Sequence, residues 1–131
     1  MGEKKIYGYP IRDPYPKEMH YFKLNPTVSG MAAEDNSIVL NPYSKLSATE
    51  MQSVAKNEAV RLFLRQRNIV PTFEVSNEQV EYFKGTPYEK DEISMKQTIV
   101  GRILSGDPSI KPTEEQSEYA KSIQSVLDMM E

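Results

Sequence analysis

Residues 47–67, SATEMQSVAKNEAVRLFLRQR, decide how this chain is built. Ser47-Ala48-Thr49-Glu50 is a capping box: the Ser47 hydroxyl accepts from the amide of Glu50 while the Glu50 carboxylate reaches back to the amide of Ser47. A helix therefore starts at Ala48 and runs to about Arg67. At about 100° per residue, Met51, Val54, Ala55, Ala59 and Leu62 share one face, and Glu58 falls between Val54 and Leu62 near the middle of it. A carboxylate on an apolar face needs a charge partner. Arg61 and Arg65 lie on the same side of the helix, so Glu58, Arg61 and Arg65 are expected to form a partly buried ion pair that ties this helix to a neighbour.

Downstream the same device recurs. Ser76-Asn77-Glu78-Gln79 is a second capping box, opening a short helix over about 77–84 that stops at Gly85. Asp91 caps a third helix, about 91–104, in which Ile93, Val100, Ile103 and Leu104 share a side. Gly106 is placed to be its left-handed terminator, and Pro108 forbids continuation. Thr113-Glu114-Glu115-Gln116 opens the last helix, about 114–130, where Tyr119, Ala120, Ile123, Val126, Leu127 and Met130 keep the apolar period.

Upstream the character changes. Residues 1–46 hold Pro10, Pro14, Pro16, Pro26 and Pro42 together with Tyr7, Tyr9, Tyr15, Tyr21 and Tyr43. Proline fixes φ and removes a backbone donor, so residues 9–16 are expected to be extended or turning, and residues 1–27 to form a Tyr/Pro-rich arm without a helix. Residues 28–40 read as a small hairpin. Two short apolar runs flank Glu34-Asp35-Asn36, and Ile38-Val39-Leu40 is the firmer strand because two of its three residues are β-branched; Asn41-Pro42 ends it. The expected fold class is α+β: an extended N-terminal arm and a small β-hairpin followed by about four helices, with residues 28–131 as a single domain.

At 131 residues, 38% hydrophobic and 27% charged, the chain suits one globular domain with one modest core. A net charge of -3 provides no basic footprint for nucleic acid. Without cysteine, disulfides, thiolate zinc sites and a cysteine nucleophile drop out together. No run approaches the roughly 20 apolar residues that span a bilayer, and the N-terminus lacks a secretory pattern, so the reading is a soluble, unprocessed protein off the membrane. Met31, Met51, Met95, Met129 and Met130 mostly fall near apolar positions, where methionine fills irregular core.

The run from Ile38-Val39-Leu40 through Asn41-Pro42 to the helix bearing Asn57-Glu58-Ala59-Val60-Arg61 resembles the edge strand and active-site helix of small zincin metallopeptidases, over about residues 28–67. In that family the helix reads H-E-x-x-H, with two histidines binding zinc and the glutamate activating the metal-bound water. Here only Glu58 matches. Asn57 offers a neutral amide, and Arg61 a permanent positive charge that repels zinc. The resemblance implies a degenerate motif at Asn57, Glu58 and Arg61, without metal and without zinc hydrolase activity.

Other chemistry is thin. The sole histidine, His20, sits among aromatics between the arm and a short strand, where packing or surface roles predominate. No P-loop, dinucleotide fingerprint or nucleophile elbow is present, and no cofactor is expected. Arg61, Arg65 and Arg67, with Arg102 nearby, form the one basic concentration, read as a solvated face with internal ion pairs. Tyrosine and proline make a stiff, amphipathic arm suited to crossing another protein's surface, with Tyr7, Tyr9, Tyr15, Tyr21 and Phe22 as anchors. These features predict a non-enzymatic structural or interaction protein with a protein partner or a second copy of itself, such as a small accessory subunit of a virion. The alternative expectation is a catalytically inactive zincin-like domain that binds a peptide along Ile38–Leu40.

Overall fold

The computed structural model describes residues 4–130. Strands β1 (Lys5–Ile6) and β2 (Tyr9–Arg12) form a hairpin closed by Tyr7 and Gly8, both at positive φ (53° and 84°), the turn that matches the twist of paired strands. Helix α1 (Pro16–Leu24) follows, then β3 (Gly30–Ala32) and β4 (Ile38–Leu40). The remainder is helical: α2 (Ala48–Gln66), α3 (Asn77–Tyr82), a 3-10 turn (Pro87–Lys90), α4 (Glu92–Ser105) and α5 (Glu114–Asp128). This is an α+β fold with a sheet of order β1-β2-β4-β3, in which β2 runs parallel to β4 while the other pairs are antiparallel.

The predicted caps operate. Ser47 Oγ accepts from Glu50 N at 3.2 Å and Glu50 Oε1 from Ser47 N at 3.1 Å; Asp91 Oδ1 accepts from Ser94 N at 3.1 Å. Gly106, at φ 76°, ends α4, with Asp107 N donating to the Arg102 carbonyl at 2.9 Å.

The arm is corrected in two respects. Residues 16–24 are helical: Pro16 occupies the first helical position, where the missing N–H has no partner to lose and the fixed φ suits the helix. The proline count that argued against a helix marks its start instead. The segment also belongs to the sheet, since β2 pairs with β4 across the expected division at residue 27. Tyr7 and Tyr9 are 7% exposed and Phe22 fully buried, so these three anchor the chain to itself. Tyr9 Oη donates to Gln66 Oε1 at 2.7 Å, and Gln124 Nε2 donates to Tyr7 Oη at 3.1 Å, fastening the first hairpin to α2 and α5. Burying three large rings leaves only Tyr15 and Tyr21 of the expected anchors exposed.

The sheet is covered on both faces, so the expected single core divides in two. Ile38 faces the main core with α2, α4 and α5, whereas Val39, one residue on and therefore on the opposite face, packs with Phe22, Ala33, Val28 and Met31 beneath α1.

Arg12 holds α1 to the sheet. Its two Nη atoms donate to both Glu18 carboxylate oxygens at 2.7 and 2.9 Å, its Nε to Asp35 Oδ2 at 3.1 Å, and its guanidinium carbon lies 3.9 Å from the Tyr15 ring centroid. Glu18 also accepts from Tyr15 N at 2.8 Å. The hydrogen bond from Arg12 holds the Glu18 carboxyl below its ordinary 4.5. A lowered folded-state value contributes stability above the unfolded pKa, and that stability is lost as pH falls through the folded one. Arg12→Ala is expected to cost about 1–2 kcal/mol at pH 7, the partial exposure of the pair being allowed for. Urea denaturation checks this, and the difference from wild type shrinks below pH 4.5.

Candidate functional site

A polar cavity of about 300 Å³ opens where the approach to β3 meets α2 and α4. From α2 come the adjacent Asn57 and Glu58 and, one turn on, Arg61; from α4 come Thr98 and Arg102. The helices approach closely because Gly101 carries no side chain: Asn57 Oδ1 sits in the space a Gly101 Cβ would take. Residues 27–30 form the opposite wall.

Glu58 is 4% exposed and accepts twice from Arg61 Nη1, at 3.1 and 3.2 Å. The predicted pairing of these two is present, and it borders a cavity as well as a helix. Arg65 does not join them. Its Nη2 donates to the Ala33 carbonyl at 3.0 Å, because two helical turns carry it past Glu58 to the residue that follows β3. Arg67 lies over the Phe63 ring at 4.9 Å. Among the arginines it is Arg61 and Arg102 that line the cavity.

Arg102 donates through Nη1 to Tyr82 Oη at 2.8 Å and to Ser109 Oγ at 3.3 Å, both neutral oxygens. Hydrogen bonding with Ser109, and then with Arg102, draws the Tyr82 hydroxyl below the ordinary phenol range. Arg102 Nε is buried without a partner, as are Thr98 Oγ1 and Asn57 Oδ1. All three residues line this one cavity. Buried polar groups are ordinarily paired, so three unpartnered atoms on residues that line one cavity single it out. Thr98 was not foreseen from the sequence, because a threonine within a helix carries no signal of what faces it. The sequence sets Arg102 near the other arginines and gives it no role of its own.

The edge strand is also corrected. Ile38–Leu40 is an interior strand, paired with β2 on one side and β3 on the other, so the open edge nearest Glu58 belongs to β3. His20 is exposed on α1. Among the described residues no three His, Asp or Glu side chains converge as metal ligands. No described helix is long and apolar enough to cross a membrane.

A larger, shallower groove of about 730 Å³ lies between β1 and the first turns of α2, floored by Ile6, Ile11 and Met51 and edged by Lys4, Lys5 and Lys56. None of the three orphaned atoms belongs to its lining.

No protein-family model, curated protein or solved structure matches the chain.

Proposed function

We propose that this is a non-enzymatic interaction protein that pairs an extended segment of a protein partner with the open edge of β3. One observation carries the reading: the free edge of β3 runs beside the cavity lined by the residues that carry the unpartnered atoms. In the antiparallel ladder the Ser29 carbonyl accepts from Asn41 N at 2.9 Å and Ala33 N donates to the Ser37 carbonyl at 2.9 Å. Residues 29 and 33 thus turn toward β4, and the alternation directs the backbone groups of Gly30 and Ala32 to the open side. Unpaired strand edges are templates for strand addition.

Both faces of such an added strand meet a receptacle. Alternate side chains point to opposite faces of a sheet. On the α2 side lies the polar cavity; on the α1 side Tyr15 and Tyr21 share a hollow of about 420 Å³ with Met31 and Ala33. Tyr15 and Tyr21, the expected anchors that remain exposed, therefore flank the same strand. An accessory subunit of a larger assembly would dock through this surface rather than through a free arm.

Selection of eight-residue sequences from a randomised display library against the intact chain tests the proposal. In the free protein the Gly30 and Ala32 amides exchange rapidly with solvent; a bound peptide slows both at least tenfold. Failure to select any peptide, or peptides that bind and leave both amides unprotected, would overturn it.

A further inference from the structure

We infer that the polar cavity beside β3 recognises a carboxylate borne by the segment that β3 pairs with, an inference that rests on the strand-addition reading above. The accounting of donors and charges supports it. Glu58 is paired with Arg61, and Asp107, which also lines the cavity, accepts at Oδ1 from Ser109 N at 2.9 Å and keeps its charge. Arg102, by contrast, makes no salt bridge to any described carboxylate; its two hydrogen bonds go to hydroxyls of Tyr82 and Ser109, and its Nε is buried with none. A guanidinium is held more strongly by an anion than by neutral oxygens.

Alongside the Glu58 and Asp107 carboxylates and the Asn57 amide oxygen, the cavity residues carry further donors. Thr98, 1% exposed, has a hydroxyl without a partner. The Nη2 of Arg61 is not engaged by Glu58, both of whose contacts are to Nη1. Two guanidinium groups and a hydroxyl, approached from a strand edge, present the hydrogen-bond pattern that an aspartate, a glutamate or a chain-terminal carboxylate satisfies. The cavity volume suits a side chain rather than a whole small protein element.

The experiment uses peptides selected on the intact chain, with binding measured by titration calorimetry and mapped by amide NMR. Replacing the peptide's acidic residue by its amide is expected to weaken binding at least tenfold. Amidating the peptide C-terminus separates the chain-terminal source from the side-chain source, and glutarate alone tests a carboxylate without a strand. Arg102→Gln is expected to weaken binding about as much as the amide peptide, with Arg102→Lys restoring part of it. Since Arg102→Gln also loses Tyr82 and Ser109, Thr98→Val serves as the second variant: it removes an orphaned hydroxyl, leaves melting unchanged or raised, and weakens the acidic peptide several-fold while leaving the amide peptide unaffected. The inference is overturned if selected peptides share no carboxylate, or if acid and amide forms bind alike. Amide peptides that still protect Gly30 and Ala32 would remove the carboxylate and leave the strand reading. Glutarate that shifts Thr98 and Arg102 while no peptide protects β3 would do the reverse.

Discussion

Gln116→Leu is expected to destabilise the protein by about 2–5 kcal/mol, a large share of the roughly 5–15 kcal/mol available to a small domain. Gln79 and Gln116 are 2% and 0% exposed, and each does two jobs. Gln79 Oε1 accepts from Ser76 N at 3.0 Å and Gln116 Oε1 from Thr113 N at 3.1 Å, closing the capping boxes of α3 and α5. Each amide then donates to the other, Gln79 Nε2 to Gln116 Oε1 at 2.6 Å and Gln116 Nε2 to Gln79 Oε1 at 2.8 Å. The same nitrogens donate to the carbonyls of Lys111 and Glu74, at 3.1 and 2.9 Å. Leucine fills the volume but strips partners from the Thr113 amide, the Glu74 carbonyl and both polar atoms of Gln79.

Leaving buried partners unmatched is what costs, so the double variant Gln79→Leu/Gln116→Leu should lose less than the two single losses added together, by about 0.5–3 kcal/mol. Chemical denaturation of the four proteins measures this coupling. Neither group titrates, so the loss persists at acid pH, unlike that of Arg12→Ala. Additive single losses would mean that the amides act only as independent caps.

This pair shows where sequence reading reaches and where it stops. Ser76…Gln79 and Thr113…Gln116 are local patterns, and the helix starts they predict are found. That the two glutamines meet is a tertiary fact with no local trace. Glu58 behaves similarly. Its place on the apolar face of α2 follows from helical angle, and Arg61 follows from spacing, but Arg65 is diverted by the Ala33 carbonyl just past β3, which periodicity cannot see. Helix α1 was hidden because proline carries opposite meanings at the first turn and in the interior of a helix. The arm's tyrosines read as partner anchors because composition records amphipathic rings without recording which surface they cover; Tyr7 and Tyr9 cover the protein's own. The cavity was illegible for a further reason: it depends on how closely α2 and α4 approach.

That approach makes the sign of Gly101→Ala decisive. Helix propensity alone favours alanine over glycine by about 1 kcal/mol in a helix interior. Against this, the added Cβ runs into Asn57 Oδ1, which can swing away, and comes within 3.1 Å of the Asn57 carbonyl oxygen, which belongs to the backbone of α2 and moves only with the helix. Separating two packed helices costs about 1–3 kcal/mol, so the steric conflict at least offsets the gain in propensity and the variant is expected to lose up to about 2 kcal/mol net. Gly101→Val, with two further carbons and lower helix propensity, should lose about 3 kcal/mol or more. Removing the movable part of the obstacle discriminates the causes. Asn57→Ala in the Gly101→Ala background should recover part of the loss, because only the carbonyl contact remains. Thermal and urea unfolding report all of these. A Gly101→Ala protein more stable than wild type would show that α2 and α4 are not held at the distance that shapes the cavity, and the arrangement of Asn57, Thr98 and Arg102 around one polar space would fall with it.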